Sequence, residues 1–420
     1  MMSTVAGILF YVIFQPYHSE MTNMSVAQRP SPSSADSILA TIGKGVESYL
    51  EEIMGKRDSL GRQYLVDNLI KRIQGRQSVL IEDSIVWLFY HGIAKRVAVP
   101  GDLNGWRTSP DSMTRIRGTD LWYISKVLDP RARFEYKLAI DSTWILDPLN
   151  PRTAAGGYGL NSEIRMPQYQ HPAEVEYQES IEHGTLDTIF FRSKILQREH
   201  LGFVYKPANY SSMKRRLPSL YVTDGGEYIT LGNMLNVLDN LIAQKAIEPV
   251  VVIFLDPRTD IERSETSMRM RDYTMSDSFL TFLTKEVRPF ILRRYRVQVE
   301  ASRTGIMGAS LGGLIATYAS FRYPRTFGLC AAQSPSYWWN DEAMIDSISS
   351  NKKKGIKIYV DSGTIKDALG SSRKMASVLE AKGYQYRYAE YPEGHNWVNW
   401  RARISHILKF FFNNNGSVFD

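Results

Sequence analysis

Apolar residues recur at helical spacing over residues 37–75, at Ile38, Ile42, Val46, Leu50 and Ile53 and again at Leu65, Leu69 and Ile73. The pattern breaks near 58–61, so it predicts two amphipathic helices whose apolar stripes pack on the body of the protein. From Ile85 the period changes to that of strands. Residues 85–90, 96–99, 122–127 and 133–140 are β-branched and aromatic runs between turn-rich segments, and together they predict a small β-sandwich. A segment rich in Gly, Pro and polar residues at 150–172 leads on to a different texture. There strands, expected at 199–205, 219–223, 250–255, 327–332, 357–361 and 385–391, alternate with helices at 231–244, about 278–295, near 341–349, 367–382 and 397–412. Such alternation predicts a mostly parallel sheet covered on both faces.

Composition narrows the function classes. At 420 residues and 43% hydrophobic content the chain can form more than one domain with a substantial core. The formal charge of +7 is a mild excess with both signs interspersed. No basic block or aromatic-interleaved stripe marks a nucleic-acid surface. The single cysteine, Cys330, excludes an intrachain disulfide framework and a multi-cysteine metal site, and it falls in an apolar strand as a small core residue. Neither a resident cofactor nor a metal is expected. The apolar run at 5–14 has the length of a signal-peptide core but no Lys or Arg before it and no Ala-x-Ala after it, and it is too short to span a bilayer. Met21 or Met24 is an alternative start. The reading is a cytoplasmic protein without a membrane partner; a periplasmic or secreted one follows if the run is a signal peptide.

The candidate chemistry begins at Ser310. Gly308 and Gly312 flank it in a Gly-x-Ser-x-Gly pattern between an expected strand and helix, the sequence form of a nucleophile elbow. The N–H of Leu311, at the helix N-terminus, then points at a developing oxyanion. A serine hydroxyl needs a base, and the base needs an orienting group. His395, in the Pro392-Glu393-Gly394-His395-Asn396-Trp397 loop after the last expected strand, supplies the base. Three carboxylates compete for the third role: Asp361 ends a strand, Asp367 opens the next helix, and Glu393 is close to His395 in sequence. Asp367 is preferred, because a carboxylate a few residues beyond the strand can reach back to the imidazole. His406 falls inside the terminal helix and is read as a helix-face residue.

These motifs resemble a known family. Gly-Ala-Ser-Leu-Gly-Gly around Ser310, Ser334-Pro-Ser-Tyr-Trp-Trp, Asp-Ser-Gly-Thr-x-x-Asp ending at Asp367, and Gly-His-Asn-Trp around His395 look like the esterase D and enterochelin esterase family over about residues 185–413. Gly101-Asp102-Leu103-Asn104-Gly105-Trp106 and the Asp141–Pro148 segment look like the immunoglobulin-like N-terminal domains of enterochelin esterases over roughly 80–167. The resemblance implies an α/β-hydrolase fold behind a small β-sandwich, with Ser310, Asp367 and His395 as the triad. Asp224-Gly225-Gly226 matches the family's Asp-Gly-Glu segment except at Gly226, and implies the N–H of Gly225 as second oxyanion donor. The domain organisation is then 1–35 apolar and flexible, 36–79 helical, 80–167 sandwich, 168–184 linker and 185–415 catalytic.

The implied reaction is hydrolysis of a small-molecule ester through an acyl-enzyme, with a ferric catecholate siderophore as leading substrate and its iron part of the substrate. Removal of feruloyl or acetyl groups from carbohydrate is the alternative. Trp338 and Trp339, beside Tyr337, stand beyond a strand end where they either stack on an aromatic acyl group or wall a domain interface. Arg258, Arg263, Arg269 and Arg271 form a polar insert that either attracts an anionic substrate, with Arg271 as the chosen contact, or is a solvated loop. Trp106 and Trp144 are equally open between ligand stacking and core packing.

Overall fold

The computed structural model describes residues 45–74, 79–257 and 266–414. The apolar run at 5–14, the flexible lead-in, the start of the first expected helix, and Arg258 and Arg263 lie outside the described residues. The described part of residues 1–57 is one helix, Val46–Gly55, and residues 58–420 form a second compact unit.

In that second unit the helix Ser59–Gln74 buries Val66, Leu69, Ile70 and Ile73 on one face. Two layers of short strands follow. Leu80–Glu82, Ile85–His91, Leu121–Val127 and Thr114–Arg115 form a four-stranded antiparallel sheet in that order. Opposite, the run expected as a single strand over 133–140 divides at Lys137, whose N–H donates to Pro100 O at 2.9 Å. Arg133–Tyr136 pairs with Gly159–Arg165, itself paired with Thr153–Gly156, whereas Leu138–Ile140 pairs with Val97–Ala98 and Thr143–Ile145. Leu88, Val97, Trp122, Phe134, Leu138 and Ile164 fill the space between the layers. The hairpin Thr153–Arg165 falls in the segment expected as connection; its Gly-rich and polar sequence hides a strand whose partner residues, Arg133–Tyr136, lie about thirty positions upstream.

The larger sheet has eight strands: β1 (Thr185–Ser193), β2 (Arg198–Lys206), β3 (Ser219–Thr223), β4 (Val251–Leu255), β5 (Thr304–Ala309), β6 (Leu329–Gln333), β7 (Lys357–Gly363) and β8 (Gln385–Tyr391). Their spatial order is β1-β2-β4-β3-β5-β6-β7-β8. Strands β3 to β8 run parallel, and β1 and β2 are antiparallel additions at one edge. This is the α/β-hydrolase architecture expected from the sequence. Every residue of β3, β4 and β5 is buried, which is why β4 reads as an unbroken apolar run and β3 and β5 carry only small polar residues beside their apolar ones. Leu220 and Val222 enter the core on one face of the sheet with the terminal helix residues Trp400 and Ile404, while Tyr221 enters the core on the other with Phe279 and Leu314. Strand β1 escaped the sequence pattern because, at the sheet edge, it buries only Ile189, Phe191 and Ser193.

A buried charge cluster joins the sandwich to the hydrolase sheet. Arg133 has no exposed side-chain surface; its guanidinium donates to Glu163 at 2.7 Å, Glu135 at 2.8 Å and Asn396 Oδ1 at 2.9 Å. Burial alone would lower its pKa, but the charges of Glu135, Glu163 and Glu393 hold it above the usual arginine value. Arg133→Met leaves the buried Glu135 carboxylate without this partner and Glu163 with only Arg165, at 3.0 Å. Breaking one side of such a cluster costs about 3–5 kcal/mol, so thermal unfolding of the variant is expected many degrees below that of the wild type.

Candidate active site

Strand β5 ends at Ala309 and a helix, Leu311–Arg322, starts at once. The residue between them, Ser310, has φ 58° and ψ −121°, a backbone conformation side chains other than glycine rarely adopt. The turn is held by Ser310 N–H donating to Gln333 O at 2.9 Å and by Ser336 N–H donating to Ser310 O at 3.0 Å. It also needs its glycine before the serine: a Cβ on Gly308 would lie 2.0 Å from Thr223 Oγ1. The hydroxyl of Ser310 meets Ser336 Oγ at 3.3 Å.

His395 follows β8, and Asp367 follows β7, so both stand at the same end of the sheet as Ser310. His395 Nδ1 lies 2.5 Å from Asp367 Oδ1. The Asp367 carboxyl is fully enclosed and also accepts hydrogen bonds from Ser334 Oγ at 2.6 Å, Gly363 N–H at 2.5 Å and Ala368 N–H at 2.7 Å. Burial works to raise its pKa, but the bonds and charge of His395 with those of Ser334 and Ala368 outweigh it and hold the acid below the usual carboxylate range. The edge of the imidazole meets Trp400, ring centroids 5.0 Å apart, and Trp400 Nε1–H donates to Ser334 Oγ at 3.0 Å.

Neither competing carboxyl hydrogen-bonds the imidazole among the described residues. Burial pushes the Asp361 carboxyl up to about 7, and its backbone carbonyl takes the Ser334 N–H. Glu393 is buried against Arg403. The structure thus brings Asp367 and His395 together and leaves Ser310 Oγ hydrogen-bonded to Ser336, with no hydrogen bond to His395 among the described residues.

Leu311 and Gly225 are each the first residue of a helix, Leu311–Arg322 and Gly225–Thr230 respectively, where the N–H has no intrahelical acceptor. Gly226 N–H, by contrast, faces Asp256 Oδ2 at 3.3 Å. A Cβ on Gly225 would lie 2.6 Å from Phe254 Cβ, so a glycine is required for the turn to lie against β4. Arg269 clamps this region. It donates to Asp224 Oδ1 and Oδ2 at 2.8 and 2.7 Å and to Ala309 O at 3.3 Å, tying the Asp224 turn to the elbow. Arg271 is half-exposed, with Asp272 3.5 Å away. Trp338 is exposed, Trp339 packs partly against the core, and Tyr337 is fully buried with its hydroxyl 2.7 Å from Thr317 Oγ1. On the sandwich, exposed Trp144 and half-buried Trp106 lie nearly parallel, 6.4 Å apart.

Residues 193–411 match the family model described as "Putative esterase". The chain belongs to that family. It is a carboxylic-ester hydrolase. The esterase is 22% identical over 353 residues to the iron(III) enterobactin esterase of Escherichia coli O6:H1, covering 76% of this chain and 84% of that one. It is 29% identical over 168 residues to an uncharacterized protein, YbbA, of Bacillus subtilis, covering 38% of this chain and 66% of the other. Among solved structures it resembles the enterobactin esterase of Shigella flexneri with a TM-score of 0.67 and 21% identity, over 78% of this chain and 92% of that one. No helix of the described residues is long and apolar enough to cross a membrane.

The sequence pattern places Ser310, Asp367 and His395 after strands β5, β7 and β8, as the structure does, but assigns nothing to Ser334, Ser336, Asn396 or Trp400, and it reads Arg269 only as one of the insert arginines. Ser334 and Ser336 stood in a quoted motif. Their functions depend on β6 lying between β5 and β7, which no local pattern records.

Proposed function

We propose that the protein is a serine esterase that cleaves an enterochelin-like ferric catecholate ester through an acyl-enzyme. The observation that carries this reading is the hydrogen bond between the enclosed Asp367 carboxyl and the exposed His395 imidazole, at the same sheet end as a serine on a strained strand-to-helix turn. With Nδ1 held by Asp367, Nε2 is the nitrogen left to take the proton of Ser310 as its oxygen attacks the ester carbonyl. The N–H groups of Leu311 and Gly225 hold the tetrahedral oxyanion. His395 then gives the proton to the leaving alcohol, and water, activated by the same imidazole, releases the acid and restores Ser310.

The choice of substrate rests on likeness across both parts of the chain: the match to the enterobactin esterases includes the sandwich as well as the hydrolase sheet. Trp338 and Arg271, both with exposed surface, are proposed to meet the aromatic and anionic parts of such a ligand, with Trp339 behind them. Incubating the protein with ferric enterobactin and separating the products by chromatography tests this. Dihydroxybenzoyl-serine products from the wild type and none from Ser310→Ala are expected. Hydrolysis of simple esters without attack on ferric enterobactin would overturn the substrate. It would favour acyl groups on carbohydrate, for which exposed Trp144 with half-buried Trp106 offers a flat stacking face.

A further inference from the structure

The loop that carries His395 is held by the β-sandwich. Arg133 N–H donates to Pro392 O at 3.1 Å. Asp102, in the sandwich loop at 101–106, lies so close to Gly394 that a Cβ there would be 2.4 Å from its Cγ. Asn396 then bridges both sandwich residues. Its Oδ1 accepts from Arg133 Nη1 at 2.9 Å and its Nδ2 donates to Asp102 Oδ2 at 2.9 Å. Asp102 is itself fixed by the N–H of Glu135 at 2.8 Å and by Trp106 Nε1–H at 3.3 Å. Asn396 also caps the terminal helix, its Oδ1 accepting from Asn399 N–H at 3.1 Å. His395 sits in the middle of this clamp and touches none of it by hydrogen bond; its own bond goes to Asp367.

We infer that Asn396 is a positioning residue for ester hydrolysis, and that the sandwich, through Asp102 and Arg133, sets the place of the general base. The inference rests on the serine-esterase reading above. Capping alone explains one bond of Asn396, but not the two that cross to the sandwich, nor the glycine pressed against Asp102. A displacement of about 1 Å in a reacting group costs as much as 10²-fold in rate, so a loop held only from its own side would be a poor mount for the base.

A substitution that keeps the cap and the Arg133 bond while reversing the Asp102 bond separates positioning from folding. Asn396→Asp does this, since aspartate caps helices as well as asparagine and still accepts from Arg133. It places two carboxylates face to face. The charged and titratable groups around them are Glu135 and Arg133 on the sandwich strand, with Glu163, Glu393 and Arg403 beyond Arg133, and Trp106 contributes an N–H. Burial, together with the Glu135 charge, holds Asp102 up to about 7. At pH 6 a proton shared between the two carboxylates restores the link; the second carboxylate raises the pair above the value of Asp102 alone, so the two are both ionised and repel only towards pH 10.

The measurement is the rate at which a fluorophosphonate labels Ser310, with kcat and KM for a p-nitrophenyl ester, from pH 6 to 10. For Asn396→Asp, labelling and kcat are expected within about threefold of wild type at pH 6 and at least about tenfold below wild type at pH 10, with KM changed less than about twofold. Asn396→Ser keeps the cap and loses both crossings, and is expected to be slow at every pH. An Asn396→Asp profile parallel to wild type, or wild-type labelling by Asn396→Ser, overturns the inference. A wild type that the fluorophosphonate does not label instead overturns the serine-esterase reading beneath it.

Discussion

Replacing Ser310 by alanine is expected to lower kcat on any ester the protein cleaves by about 10⁴- to 10⁶-fold, the range seen when a serine nucleophile is removed from a working triad. The residue has no other large task to confuse the result. Its hydroxyl makes one hydrogen bond, to Ser336 at 3.3 Å, whereas the turn itself is held by backbone bonds to Gln333 and Ser336 that alanine retains. The backbone at this position is strained at φ 58°, and alanine bears the same strain as serine, so thermal stability is expected to change little. A fluorophosphonate should label the wild type and not the variant. Hydrolysis by purified Ser310→Ala within about 10² of wild type would remove Ser310 from the chemistry and leave His395 and Asp367 as a structural pair. The same variant is then the control against which ferric enterobactin turnover is read.

The parts of this molecule that were legible in the sequence are those whose local pattern and tertiary role coincide. Strands β3 to β5 are buried on both faces and read as largely apolar runs; Gln385–Tyr391 and Trp397–Phe412 fall on the expected boundaries because a turn and a capping Asn396 bound them. The strand-to-helix turn at Ser310 was legible because its glycines answer a steric demand visible in three residues. What escaped was set by distant neighbours. Arg133–Tyr136 reads as an ordinary strand, yet all four residues are buried, because Arg133 and Glu135 face the hydrolase loop and each other and not water. The insert arginines read alike, but Arg269 is locked onto Asp224 beneath the elbow while Arg271 stays half-exposed. Sequence spacing left three acids open beside His395, and only the fold of β7 against β8 separates them.

That separation makes the second large effect. Asp367→Asn is expected to lower kcat by about 10⁴-fold, while Asp361→Asn and Glu393→Gln stay within about tenfold of the wild type. The reason is which atom faces the imidazole. Asp367 Oδ2 takes the N–H of Gly363 at 2.5 Å, so an asparagine keeps its carbonyl there and turns its amide towards His395. His395 Nδ1, 2.5 Å from Oδ1 in the wild type, must then accept a hydrogen bond instead of donating one. The ring proton moves to Nε2, and the base can no longer take a proton from Ser310. The defect is one of tautomer, so circular dichroism and thermal unfolding should change far less than turnover. Because Asp367 is held below the usual carboxylate range, it remains ionised in the folded protein at neutral pH. Its stabilising contribution is present above the unfolded-state value near about 3.9 and is lost as pH falls through the lower folded-state value, so it does not set any activity change between pH 6 and 8. Should Glu393→Gln prove the more damaging variant at unchanged stability, the acid would have to be reassigned. Glu393 is bound to Arg403 and packed beside Arg133, however, and its loss is expected to appear first as a lower unfolding temperature.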